Sequence, residues 1–227
     1  MPVVLIILAV LVVACVAYGS WYLKKKRREA LAAMAGQLGL RFSTVDTVGC
    51  LGFPFALLGK GDGRGTENVM WGAWQGVSMT EFDYWYYEES TDSKGHTSKT
   101  YYRYSCAVSE IQAACSALTL DRENLFTRLA DHLGMHDIEF ELQEFNEAFN
   151  VKSGDRKFAN DLLDARMMQW LLGVDRAFQF EVSGKWVMAF SKKRAPAELV
   201  PLIGTVQQFC EHVPHVVYDL YPLRASG

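Results

Sequence analysis

A glycine-rich run, two histidine pairs, a pair of aspartates and a tract of aromatic residues are the places where this chain could do chemistry. Gly59-Lys60-Gly61-Asp62-Gly63-Arg64-Gly65-Thr66 offers backbone amides and two cations to an anion. It lacks the order of a phosphate-binding loop and does not open a helix as a dinucleotide fingerprint does. Asp62 and Glu67 also oppose an anion, so the run reads as a flexible hairpin loop. His132 and His136 have the spacing of metal ligands on one helical face, but Gly134 between them ends a helix, and the glutamate of an H-E-x-x-H site is missing. His212 and His215 straddle Pro214, and none of these histidines is assigned to a metal. Asp161 and Asp164 sit among Arg156, Lys157 and Arg166, the composition of a solvated helix face. There is no G-x-S-x-G elbow, and neither Cys106 nor Cys115 has a base at a recognisable spacing. The chain therefore receives no catalytic residue, no cofactor and no metal ligand.

The aromatic tract is different in kind. Phe82, Tyr84, Trp85, Tyr86 and Tyr87 face Tyr101, Tyr102 and Tyr104 across a polar loop, and consecutive aromatic positions place rings on both faces of a sheet. One face serves the core. The other is covered by helices of the same domain or forms a contact with a partner subunit or the membrane interface, where Tyr and Trp tolerate half-wet surroundings. Tyr84, Tyr86, Tyr102 and Tyr104 share sides by two-residue spacing and are the expected partner surface.

These residues must be positioned by the elements around them, and the first element decides most. Residues 3–23 contain no charge and run directly into Lys24, Lys25, Lys26, Arg27 and Arg28. About 20 apolar residues at ~1.5 Å each cross a hydrocarbon core of roughly 30 Å. Trp21 and Tyr22 stand where rings prefer to lie, at headgroup level, and the cationic collar behind them meets anionic headgroups. Because the positive charges follow the span, the N-terminus is expected outside and the remainder in the cytoplasm, in the inner (plasma) membrane. A signal peptide is disfavoured because the charges come after the apolar stretch, and Tyr18, Ser20, Trp21 and Tyr22 make a poor cleavage site. Cys15 lies too deep in the apolar run for a lipoprotein signal. The expected organisation is an anchor over residues 1–23, a basic juxtamembrane collar and helix over 24–39, and one cytosolic α+β domain over 40–227.

The five cysteines form no C-x-x-C pair and read as reduced, mostly buried thiols. The formal net charge of -3 includes the basic collar, so the rest is acidic and carries no footprint for nucleic acid.

Along the domain, residues 29–38 predict a helix with Leu31, Met34, Ala35 and Leu38 on one face, ended by Gly39. Strands are predicted over 53–58, 68–75, 77–88 and 100–111, with a tight turn at Trp74-Gln75-Gly76. A helix is expected from Thr119 or Asp121 to Leu133, with Leu125, Leu129 and Leu133 inward. Residues 138–149 alternate, with Phe140 and Leu142 inward. One long helix is predicted over 155–172, with Trp170 largely buried, and a hairpin follows over 177–190 with its turn at Ser183-Gly184. The last helix starts near Pro196 and buries Leu199, Leu202, Ile203, Val206, Phe209 and Cys210.

The block Phe145-Asn146, Phe149-Asn150-Val151, Asp155, Phe158-Ala159, Leu162-Leu163, Arg166-Met167-Met168 and Trp170-Leu171 resembles uncharacterised, actinobacterial-like single-pass membrane proteins with a cytosolic domain of unknown function. The resemblance covers residues 119–190. It implies membrane attachment and architecture, and no catalytic residues. Together these readings predict an N-terminal transmembrane helix followed by a mostly antiparallel sheet with packed helices. The expected partners are the lipid bilayer and other membrane protein subunits, in a non-catalytic accessory or assembly role. The alternative is a tethered enzyme or small-ligand sensor with its pocket between sheet and helices.

Overall fold

The computed structural model describes residues 2–122 and 134–223. Helix α1 (Pro2–Leu38) is one unbroken element of 37 residues, long and apolar enough in its first half to cross a membrane. The described side chains of that half, among them Leu8, Val12 and Val16, stand exposed. The second half changes character. Leu31, Met34 and Ala35 are buried, and Leu38 packs beside them, as the three- and four-residue spacing predicts. Gly39 takes a positive φ of 71° and the Leu40 amide donates to the Ala35 carbonyl at 2.8 Å, a Schellman end that turns the chain sharply into the first strand.

Seven strands follow among the described residues: β1 (Arg41–Val45), β2 (Gly63–Trp74), β3 (Val77–Thr91), β4 (Thr97–Asp121), β5 (His136–Asp137), β6 (Asn150–Ser153) and β7 (Gln179–Lys192). All pair antiparallel in the order β1-β2-β3-β4-β6-β5, with β7 along the other edge of β4. Between β2 and β3, Gln75 and Gly76 both have positive φ, which gives the two-residue turn expected there a twist matched to its strands.

Five further helices lie among the described residues: α2 (Gln143–Ala148), α3 (Arg156–Leu162), α4 (Ala165–Gly173), α5 (Leu199–His212) and α6 (His215–Leu220). They join the inner half of α1 in one apolar cluster on one sheet face, where Phe158, Leu162, Met167, Leu171, Leu202, Val206 and Phe209 meet Phe180, Val182 and Ile111. The opposite face has its own cluster, closed by the segment between β1 and β2. The fold is α+β, as predicted.

Several local readings are corrected by pairings distant in sequence. Residues 53–58 are no strand, because this segment makes 3₁₀ turns at Cys50–Gly52 and Leu57–Gly59. β4 runs to Asp121, so Thr119 and Asp121 are strand residues held by β6 and β7. The rest of the helix expected there, with Leu125, Leu129 and Leu133, lies outside the described residues. Residues 138–149 are mainly loop and α2, not alternating strand. The long helix over 155–172 is two helices, each capped by an aspartate: Asp155 accepts from the Phe158 amide and Asp164 from the Met167 amide. Trp170 is only half-buried, packed on Phe180, Phe209 and His212. The expected hairpin over 177–190 is the single strand β7, in which Gly184, at φ 57°, pairs with Cys115 where β4 carries extra residues between Glu110 and Leu118.

Candidate functional site

One end of the domain is built where α1 enters it. On the sheet face toward α1, successive rows read Glu67–Asp83–Ser105, then Gly65–Trp85–Arg103, then Gly63–Tyr87–Tyr101. Asp83 is buried, and Arg27 grips its carboxylate with two nitrogens at 2.6 and 2.8 Å while donating a third bond to the Arg194 carbonyl at 2.6 Å. Lys193 reaches the same carboxylate at 3.0 Å, and the Asn68 amide donates to it at 2.8 Å. Asn68 sits at the β2 irregularity with φ 56°, a conformation asparagine tolerates, which aims its side chain inward. Beside this network Glu81 is buried with no hydrogen bond to either carboxylate oxygen. Burial, with Asp83 next to it, holds its pKa well above the usual carboxylate range. The network pins the helix to the sheet at the point where the basic collar begins.

Arg27 is thus corrected from a headgroup-facing cation to a structural one, its side chain only 14% exposed. Lys24, Lys25, Lys26 and Arg28 are exposed, as are Trp21 and Tyr22. Lys25 lies over Trp21 and Lys26 over Tyr22, which keeps rings and cations together on the outer side of the helix.

The partner surface assigned to Tyr84, Tyr86, Tyr102 and Tyr104 is corrected as well. Tyr84, Tyr86 and Tyr104 are buried in the second cluster beneath Phe55, Leu57 and Leu58, and the Tyr84 hydroxyl donates to the Leu57 carbonyl at 3.0 Å. Tyr102 is half-buried, stacked on Tyr86 at 4.8 Å. The cover is held from across the sheet: Glu181 accepts the Ala56 and Leu57 amides at 2.6 and 2.9 Å. Burial pushes the Glu181 carboxyl up to about 7, against the pull of those two amides.

Rings of the opposite parity face outward instead. Trp85 and Tyr87 are partly exposed and Tyr101 is 51% exposed. Trp85 stacks on Tyr87, Tyr101 lies within 5.4 Å of Tyr87, Lys99 sits over Tyr87 and Arg103 over Tyr101. The glycine-rich run explains their placement. A Cβ at Gly63 would stand 2.4 Å from the Tyr87 ring, and one at Gly65 would stand 2.8 Å from the Trp85 ring. The glycines are a bed for two rings, not a loop for an anion. The signal was present in the sequence as glycines at alternate positions facing a run of aromatics.

The remaining candidates are structural. Asp161 pairs with Lys157 and accepts the Tyr221 hydroxyl, and Asp164 caps α4. His212 stacks on Trp170, His136 is exposed, and His132 lies outside the described residues. All five cysteines are free, and burial raises the Cys50, Cys106, Cys115 and Cys210 thiols away from the reactive thiolate. Among the described residues no group of three or more His, Cys, Asp or Glu is placed to hold a metal. A groove of about 750 Å³ lies on the sheet face away from the helices, where Phe53, Trp71 and Trp186 border it.

The architecture resembles that of a transport factor. A crystal structure of the mycobacterial trehalose monomycolate transport factor A, TtfA, superimposes with a TM-score of 0.58 over 89% of this chain and 98% of that one, at 14% sequence identity. The likeness is one of fold. No family model matches the chain, and no curated protein matches its sequence.

Proposed function

We propose that the protein is a single-pass inner-membrane protein, with its N-terminus outside and its domain in the cytoplasm, that serves as a non-catalytic accessory or assembly subunit of a membrane protein complex. In this reading residues 1–23 anchor, 24–39 form the juxtamembrane collar and helix, and 40–227 form the working domain. The observation that carries it is the continuity of α1 from an apolar, unburied half into the domain core, locked by Arg27 on Asp83. Such a joint fixes the domain against the bilayer, where it meets other membrane proteins at close range. The fold shared with a protein named as a trehalose monomycolate transport factor supports an accessory role in transport. The groove bordered by Phe53, Trp71 and Trp186 favours a second reading, a small apolar ligand held on the outer sheet face.

Two measurements on the full-length protein test the first reading. A cytoplasm-dependent reporter fused after Gly227 should be active, and activity of a periplasm-dependent one there overturns the topology. Purification in mild detergent after in-cell crosslinking should recover a defined set of membrane proteins, and recovery of the protein alone overturns the accessory role.

A further inference from the structure

The strands run alongside α1 at the point of entry. Arg27 meets Asp83, which pairs with Glu67, and eleven residues later α1 ends near Leu40, which touches Gly72. Glu67 to Gly72 spans ~16 Å of strand and Arg27 to Leu38 ~16 Å of helix, so the two advance together. Each row beyond Asp83 therefore steps ~7 Å toward the apolar half of α1. The first of these rows, Gly65–Trp85–Arg103, reaches the level of Leu23 and Lys24. A cleft of about 410 Å³ joins them, lined by Leu23, Lys24, Arg27, Arg28, Arg103 and Lys193 together with Glu67 and Asn68. Lys193 follows β7, and its amide donates to the Arg103 carbonyl at 2.9 Å, which sets the two cations side by side.

The charges in this cleft do not balance. Arg27 and Lys193 are matched by Asp83 and Glu67. No carboxylate among the described residues lies within ion-pair distance of Lys24, Arg28 or Arg103, all three of which are exposed. Three unmatched cations converge beside Leu23, the last apolar residue of the span. The Trp85 ring stands in the same row as Arg103, and the rings of Tyr87 and Tyr101 continue that face one row further along α1 toward its apolar half.

We propose that the cleft formed by Lys24 and Arg28 of α1 with Arg103 of β4 and Lys193 binds the phosphate headgroup of an anionic phospholipid, with Trp85, Tyr87 and Tyr101 lying at the same interface. Charge selects an anion. Position beside Leu23 selects one whose acyl chains continue into the bilayer, and aromatic rings flanking the site suit the headgroup level. The proposal rests on α1 as the span with the domain on the collar side. The C-terminal reporter tests that premise separately.

The test uses the full-length protein in a neutral detergent, its thermal unfolding followed while dihexanoyl phosphatidylglycerol, dihexanoyl phosphatidylcholine or inorganic phosphate is added. Phosphatidylglycerol should raise the midpoint saturably, and the other two should not. Arg103→Glu, an exposed change, should weaken the apparent affinity at least tenfold while leaving the lipid-free midpoint within a degree or two. Lys25→Glu, in the collar but outside the cleft, should weaken it no more than twofold. A midpoint raised equally by inorganic phosphate makes the site a free-anion site and overturns the lipid assignment. Equal losses from Arg103→Glu and Lys25→Glu show a diffuse surface attraction, and no response to any addition shows no site; either result overturns the proposal.

Discussion

At the scale of single residues, two buried carboxylates do different work. Asp83 is the socket for α1. With Arg27 and Asp83 14% and 3% exposed, Arg27→Ala leaves a buried charge short of its main partner and should cost ~3–5 kcal/mol. The loss should shrink when Asp83→Asn is already present, since the charge is then gone. Urea unfolding of the full-length protein in detergent, followed by tryptophan fluorescence, measures both, and additive costs would show that the pair is not coupled. Glu181 holds the cover of the second core, and its pKa lies near 7 in the folded chain against 4.5 for an unburied glutamate. Between those values the folded state binds more protons than the unfolded one. Stability from this group is therefore complete below about pH 4.5 and is lost as pH rises to about 7. Buried Glu81 acts in the same sense. Glu181→Gln removes only the first contribution, so wild type should lose more stability than the variant between pH 4.5 and 7.5. Parallel pH profiles would refute this.

At the scale of elements, what could be read in the sequence was what is decided locally. The stripe of Leu31, Met34, Ala35 and Leu38, the Gln75-Gly76 turn and the inner face of α5 follow from spacing and turn chemistry, and the structure has them. What depended on a distant partner was misjudged. Residues 50–59 coil because Glu181, more than a hundred residues away, accepts the amides of Ala56 and Leu57. Ser183-Gly184 looks like a turn, but β4 is 25 residues long and keeps pairing past it, its own extra residues bulging opposite the glycine. The candidate surface failed for a related reason. Alternation showed that rings occupied both faces of β3 and β4 but not which face residues 50–58 would cover, and the face chosen was the covered one. The open face depends on glycine. Gly65→Ala should push the Trp85 ring from its place and cost ~1–3 kcal/mol as an overpacked contact, with a change in near-ultraviolet circular dichroism. An unchanged aromatic spectrum would mean the ring is not held by that contact.

At the scale of the whole molecule, one helix belongs to two environments. The described side chains of its outer half are unburied, while its inner half contributes Leu31, Met34 and Ala35 to the principal core. Cutting the chain at the end of the apolar stretch would keep that core intact, whereas cutting after Leu38 would remove one of its walls. A soluble fragment beginning at Lys24 should therefore unfold cooperatively, and one beginning at Leu40 should aggregate or lose its transition. Gel filtration with thermal unfolding of the two fragments decides this, and equal behaviour would mean the helix is dispensable to the domain.

The unbroken backbone of α1 has a further consequence, which concerns rotation. With neither hinge nor loop between Leu23 and Arg27, the domain of the proposed single-span protein would not swivel beneath the bilayer, and its heading would be set by the azimuth of the span. Each copy must show neighbouring proteins a fixed side, as a key on a rigid shaft shows its bit. One alanine inserted between Leu23 and Lys24 would turn the span about 100° relative to the domain without touching either. The thiol of Cys15, exposed on the apolar half, would turn with it and mark the new heading.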